Sequence, residues 1–318
     1  MLPYSWFEQA RERISPFINN TPLTHDPNLD IYLKWENQQV TGSFKARGAL
    51  NKLLTLQPWE RERGIVTASA GNHGLGVAFA AQATATPVIV FASENASEIK
   101  LKGIQQLGAQ LKLVSGGYGK AESAAIEYAK SFNKTWISAY NDGMVIAGQG
   151  TLGLEILGEL PAWDRISWLI PCGGGGLASG IAAAVKSNIQ EISPRLGIYA
   201  VQSEASPFMH AVYYTGTQDG VVEYPSLADG LAGPIEHNSI TLPLVRNYID
   251  GVILVSEAEI SLAVSYAWHH YREKIEASAA TSLAAILSGK IANRPAVLII
   301  SGGNINPNTH QKLIALKA

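Results

Sequence analysis

Four short stretches of this 318-residue sequence combine residue types and spacings that chemistry could use. The first is Thr41-Gly42-Ser43-Phe44-Lys45-Ala46-Arg47-Gly48-Ala49, whose lysine falls in the first turn of a helix expected over 43–56 and capped by Ser43. A cation there meets the positive end of the helix macrodipole, unfavourable by about 0.3–1 kcal/mol. A solvated surface lysine tolerates that cost, whereas a lysine that must be an uncharged amine part of the time gains from a lowered pKa. The second stretch is Gly173-Gly174-Gly175-Gly176, between a strand ending at Pro171-Cys172 and a helix starting near Leu177. Consecutive glycine N–H groups and the positive end of that helix form a nest suited to a phosphate. A tight turn that only lets strand and helix pack closely is the plainer reading. A dinucleotide site, with Glu204 reaching a ribose hydroxyl, is a rival, although the spacing is not G-x-G-x-x-G. The third stretch, Ser69-Ala70-Gly71-Asn72-His73-Gly74, offers helix-start amides for a carboxylate and the Asn72 amide for a phenolic oxygen. Asn and Gly are also ordinary turn residues, and a lone histidine beside a turn is read as structural. In the fourth, Ser301-Gly302-Gly303-Asn304, a hydroxyl at a buried strand's end can bond a heteroaromatic nitrogen or simply serve a turn.

These turns need strands and helices to hold them. Short β-branched or apolar runs at 31–35, 64–69, 87–91, 110–114, 166–172, 197–202, 251–255 and 295–300 read as strands. Between them, 43–56, 74–83, 97–107, 119–131 and 177–186 read as helices, and the capping box Ser256-Glu257-Ala258-Glu259 opens another through about Glu276. Such alternation predicts an α/β fold built on open parallel sheet, where ligands lie at the carboxyl ends of strands. No repeat or linker divides the chain, so topology sets the domains. The expected division is a large domain of residues 1–50 and 142–318 and a small one of 51–141, with the ligand in the cleft between them.

Composition narrows the class. Hydrophobic residues make up 47% and charged residues 16%, which is globular rather than disordered. A net charge of −2 with dispersed Lys and Arg leaves no basic patch for nucleic acid or an anionic membrane. The single cysteine, Cys172, excludes an internal disulfide framework and a multi-cysteine zinc site. The N-terminus becomes charged before a signal-length apolar run, and no stretch approaches the roughly 20 apolar residues of a membrane span. A soluble cytoplasmic protein acting on a small molecule is expected.

Taken together, the four stretches resemble the β-family, or fold type II, of pyridoxal-phosphate enzymes, and specifically its threonine/serine dehydratase branch, over nearly the whole chain. The resemblance implies a two-domain fold with pyridoxal 5′-phosphate in the interdomain cleft. Lys45 would hold the cofactor as a Schiff base, with Phe44 near its ring and Asn72 beside its phenolic oxygen. Gly173, Gly174, Gly175 and Gly176 would hold the phosphate, Ser301 would bond the pyridine nitrogen, and Ser69, Ala70, Gly71 and Asn72 would receive the substrate carboxylate. Ala147-Gly148-Gln149-Gly150-Thr151 and Ala228-Asp229-Gly230 also agree with the family. Serine racemases carry a second serine where Ala70 stands, so elimination is favoured over racemisation. Gln202 and Phe208 occupy the places of the racemases' metal-binding acids, which implies no required divalent metal. Two departures bear on the substrate side chain: Ile275-Glu276-Ala277-Ser278-Ala279-Ala280 replaces V-E-P-x-G-A, and Ser138-Ala139 replaces His-Pro. The implied reaction converts a β-hydroxy amino acid, L-threonine or L-serine, to a 2-oxo acid and ammonia, in a homodimer. A serine-racemase-like enzyme, a dinucleotide-binding protein and a cofactor-binding protein without turnover are the alternatives.

Overall fold

Strands buried on both faces need continuous apolar runs, and Ala296-Val297-Leu298-Ile299-Ile300 is one, every residue of it buried. It is β10 of the ten strands among the described residues: β1 (Leu23–Asp26), β2 (Ile31–Trp35), β3 (Ile65–Ala68), β4 (Val88–Ser93), β5 (Gln110–Val114), β6 (Thr135–Trp136), β7 (Ser167–Pro171), β8 (Gly197–Ser203), β9 (Gly251–Val255) and β10 (Ala296–Ile300). The structure, a computed structural model, describes residues 1–96, 98–160, 166–188 and 196–315. A larger sheet runs in the order β1-β2-β10-β7-β8-β9 and a smaller one β5-β4-β3-β6. All pairings are parallel except the β1–β2 edge. The smaller sheet takes its four strands from residues 65–136.

Helices cover the sheets: α1 (Tyr4–Ile14), α2 (Lys45–Thr55), α3 (Pro58–Arg63), α4 (Asn72–Ala83), α5 (Glu98–Gln106), α6 (Tyr118–Ser131), α7 (Gly143–Glu159), α8 (Gly176–Asn188), α9 (Phe208–Thr215), α10 (Thr241–Tyr248), α11 (Glu257–Tyr266), α12 (Ala277–Leu287) and α13 (Pro307–Ile314). The period-2 alternation of strands decides which face each residue serves. Val297 and Ile299 of β10 join Trp168 and Ile170 of β7 in packing on α7 and α8, whereas Leu298 and Ile300 face α11 and α12. In the smaller sheet, Ile65 and Val90 pack on α2 and α4, while Val66 and Phe91 meet Ala121, Ala125 and Ala129, spaced one helical turn apart along α6. No helix among the described residues is long and apolar enough to cross a membrane.

Several elements differ from their sequence expectation. The helix expected through Glu276 is α11 followed by one wide π turn, Ala267–Tyr271. Arg272 then takes a left-handed φ of 60°, which ends the helix and returns the chain toward the sheet. Ser97, first residue of the helix expected over 97–107, lies outside the described residues. Strand β1 and helix α7 were not among the elements read from sequence.

Candidate active site

The chemistry-bearing turns follow β3, β7 and β10, and their contacts gather them around the start of α2. Lys45 is the first residue of α2, but the helix cap differs from expectation. Phe44 occupies the cap position without a side-chain bond, and the Ser43 hydroxyl is buried and unpartnered rather than capping. Ser43 is instead drawn into a β-bridge with Gly302, and the Phe44 N–H donates to the Ser301 carbonyl at 3.1 Å. That bridge sets the buried Ser301 beside the lysine segment. The Lys45 ammonium donates to the Ala139 carbonyl at 2.9 Å and lies 5.1 Å from the centre of the Phe44 ring. Burial presses its pKa down to about 8, against a Glu276 carboxylate that pulls the other way. Desolvation therefore supplies the lowered pKa for which the sequence offered only a helix dipole.

Asn72 opens α4, which crosses α2 so closely that a Cβ at Gly76 would stand 2.9 Å from the Lys45 carbonyl carbon. Its amide is held at both ends. Nδ2 donates to Glu276 Oε1 at 2.7 Å, and Oδ1 accepts from Asn304 Nδ2 at 2.7 Å. Asn304 also donates to the Thr41 carbonyl at 2.8 Å. In the same turn the Ser69 hydroxyl accepts from the Gly71 N–H at 3.0 Å, and Ala70 and Gly71 are half-buried. His73 is buried with Nε2 3.2 Å from the Ile137 carbonyl. Burial first, and Lys45 second, push the His73 imidazolium down to about 3, so it is a neutral donor to that carbonyl. It is a structural histidine.

The glycine loop links β7 to α8 and bends at Gly175, whose φ of +89° favours glycine. A Cβ at Gly174 would fall 2.6 Å from the Tyr140 ring, one at Gly175 2.9 Å from Met209 Cε, and one at Gly176 2.8 Å from Tyr140 Cβ. Tyr140 follows Ala139, the acceptor of the Lys45 amine, so the loop adjoins the same amine. Thr241 Oγ1 donates to the Gly174 carbonyl at 2.7 Å, and the Tyr140 hydroxyl accepts from the Glu236 N–H at 2.9 Å. The result is a glycine-only cradle at a helix start, beside a desolvated amine and a buried serine. Those groups fit a phosphorylated pyridine aldehyde, which needs an anion nest, an amine and a partner for its ring nitrogen.

Other residues singled out from sequence lie elsewhere or have other work. Glu204 pairs with Lys290 at 3.7 Å. Gln202 accepts from the His210 N–H at 3.1 Å. Among the described residues no group of three or more His, Cys, Asp or Glu side chains is placed to hold a metal ion. Burial pushes the Cys172 thiol up to about 12, which leaves it inert as a nucleophile. Sequence reasoning did not place Glu276, Asn304 or Tyr140 in the site. The acid kept in Ile275-Glu276-Ala277 and the asparagine closing Ser301-Gly302-Gly303-Asn304 were the available signals.

Residues 14–302 match the model of the family described as pyridoxal-phosphate dependent enzyme. The chain is 36% identical over 321 residues to the L-threonine ammonia-lyase of Thermotoga maritima, covering 99% of this chain and 78% of that protein. Among solved structures, maize serine racemase superposes with a TM-score of 0.89 at 28% identity, covering 99% of this chain and 97% of the racemase. The processed form of threonine deaminase isoform 2 from Solanum lycopersicum gives a TM-score of 0.88 at 29% identity, covering 98% and 92%.

Proposed function

We propose, for a chain that belongs to the pyridoxal-phosphate dependent enzyme family, that it is an ammonia-lyase converting L-threonine or L-serine to a 2-oxo acid and ammonia. The observation that carries this reading is the meeting of the Lys45 amine, the Asn72 amide, the four-glycine loop and Ser301, brought to one place from three strand ends and the start of α2. The similarity to an L-threonine ammonia-lyase over nearly the full chain supports the branch.

In this reading the N–H groups of Gly173 to Gly176 and the start of α8 would bind the phosphate, and Ser301 would bond the pyridine nitrogen. Asn72 would offer an N–H to the phenolic oxygen, and Phe44 would flank the ring. When bound, the cofactor supplies a conjugated ring that accepts the electron pair left on Cα. Ser69, Ala70, Gly71 and Asn72 receive the substrate carboxylate with turn and helix-start N–H groups, which orients the Cα–H bond. Lys45 Nζ, neutral more readily than an exposed lysine, takes the α-proton, and the β-hydroxyl leaves with a proton as water. The released enamine tautomerises and takes up water to give the 2-oxo acid and ammonium. Ala70 brings no hydroxyl to donate a proton from a second face, which favours elimination over racemisation.

The domain division belongs to the same proposal: residues 51–141 as a small domain, supported by the smaller sheet's strands, and the flanks as the large one, with α2 spanning the hand-over at residues 50–51. A homodimer in the cytoplasm is the assembly and setting this reading expects. Purified protein supplied with pyridoxal 5′-phosphate should release 2-oxobutyrate from L-threonine and pyruvate from L-serine. Absence of oxo acid from both rejects the lyase reading, and D-serine formed faster than pyruvate replaces it with a racemase.

A further inference from the structure

Glu276 stands at the cap position of α12, yet its carboxylate makes no cap bond to that helix. It turns instead across the site to accept from Asn72, 204 residues away in sequence, at 2.7 Å. The backbone is shaped for this. The Glu276 N–H donates to the Gly302 carbonyl at 3.1 Å, and Gly302 leaves the carboxylate room, since a Cβ there would come 2.7 Å from Glu276 Oε1 and 3.3 Å from Asn72 Nδ2. At the other end of α12's first turn, the Ser278 hydroxyl accepts from the Gly230 N–H at 3.0 Å and ties the helix start to the Ala228-Asp229-Gly230 segment.

An amide has one oxygen and two N–H bonds. Asn304 bonds the Asn72 oxygen and Glu276 takes one N–H, which leaves the second N–H as the remaining donor of the Asn72 amide. Without an acceptor at 276 the amide is anchored by its oxygen alone. We propose that Glu276 is a positioning residue: it fixes the rotation of the Asn72 amide so that the second N–H is presented to the phenolic oxygen of the bound cofactor. This rests on the cofactor reading given above. The chain maintains a carboxyl here at a cost, since burial, with Asp229 adding to it, pushes Glu276 up to about 7 while Asn72, Lys100 and Lys45 pull it down. One oxygen accepts whether or not the other carries a proton, so the role calls for an acceptor rather than a charge.

The test compares Glu276→Ala, Glu276→Gln and Asn304→Ala as holoenzymes against wild type, reading cofactor stoichiometry, the pH dependence of the bound cofactor's visible absorption, and kcat with KM. Glu276→Ala is expected to bind cofactor stoichiometrically, shift the pH–absorption profile and lower kcat by about 100-fold, the scale of a small misplacement of a reacting group. Glutamine can turn its carbonyl to Asn72 and should recover most of that loss, and Asn304→Ala should shift the absorption profile in the same sense as Glu276→Ala. An unchanged profile and kcat in Glu276→Ala overturns the proposal, as does a glutamine variant as damaged as the alanine one. A wild-type protein that binds no pyridoxal phosphate defeats the cofactor reading instead, so the two failures are distinguishable.

Discussion

Lys45→Ala is expected to lower 2-oxo acid release by at least about 1,000-fold, within the range that loss of a positioned general base alone produces. The loss should lie in kcat more than in folding. Lys45 gives the structure one side-chain hydrogen bond, to the Ala139 carbonyl, and burial already disfavours its charge. Removing the ammonium therefore leaves the apoprotein's thermal midpoint unchanged or raised. A small primary amine added to the assay should restore part of the rate by serving as the missing base. Steady-state oxo-acid assays with and without methylamine, alongside thermal unfolding, read all three effects. A variant retaining a tenth or more of wild-type turnover would show that another group removes the α-proton.

Two residues further along α2, Arg47→Ala is expected to destabilise the protein by about 3–5 kcal/mol, the cost of breaking a buried ion pair from one side. Arg47 and Glu36 are both buried and joined by two bonds of 2.8 Å, from Nε to Oε2 and from Nη2 to Oε1. Nη1 donates to Glu155 Oε2 at 2.8 Å, and Lys34 reaches the other Glu155 oxygen at 2.8 Å and Glu159 at 3.0 Å. Burial, the largest single influence, would raise the Glu36 pKa, but Arg47 together with Thr21 and Lys34 outweighs it and holds the carboxyl below its usual value. Glu36 thus adds stability above the unfolded-state carboxylate pKa, and that stability is lost as pH falls through the lowered native value. Arg47→Lys should also lose stability, because an ammonium cannot reproduce the planar fork. Pairing Arg47→Ala with Glu36→Gln should recover part of the loss, since the stranded charge goes too. Urea unfolding measures the series, and a loss below about 1 kcal/mol for Arg47→Ala would place the network outside the stability of α2.

Much of the site was legible because three of its parts lie where a strand ends in a glycine turn and the fourth, Lys45, opens a helix. Lys45, Asn72, Gly173 to Gly176 and Ser301 are all local features, and strands 31–35, 110–114 and 251–255 carry period and composition strong enough to fix their ends. What was not legible is tertiary. The bonds tying Asn72 to Glu276 and Asn304 span 204 and 232 residues, beyond any local pattern. The Ser43 cap failed because pairing with Gly302 claims its backbone. Helix α7 was hidden by Gly143, Gly148, Gly150, Gly153 and Gly158, which read locally as helix-weakening. In the fold two of them serve packing: a Cβ at Gly148 would stand 2.6 Å from the Arg47 carbonyl oxygen, and one at Gly150 2.7 Å from that of Gly180. Edge strand β1, Leu23-Thr24-His25-Asp26, is polar because it has a neighbour on one side only.

The central claim is that the Lys45 amine holds pyridoxal phosphate, and borohydride reduction of the holoprotein followed by peptide mapping tests it most directly. The expected result is a violet absorption band that reduction abolishes, with the cofactor's mass fixed on the peptide containing Lys45. No such band, or a label fixed on a different lysine, would contradict it.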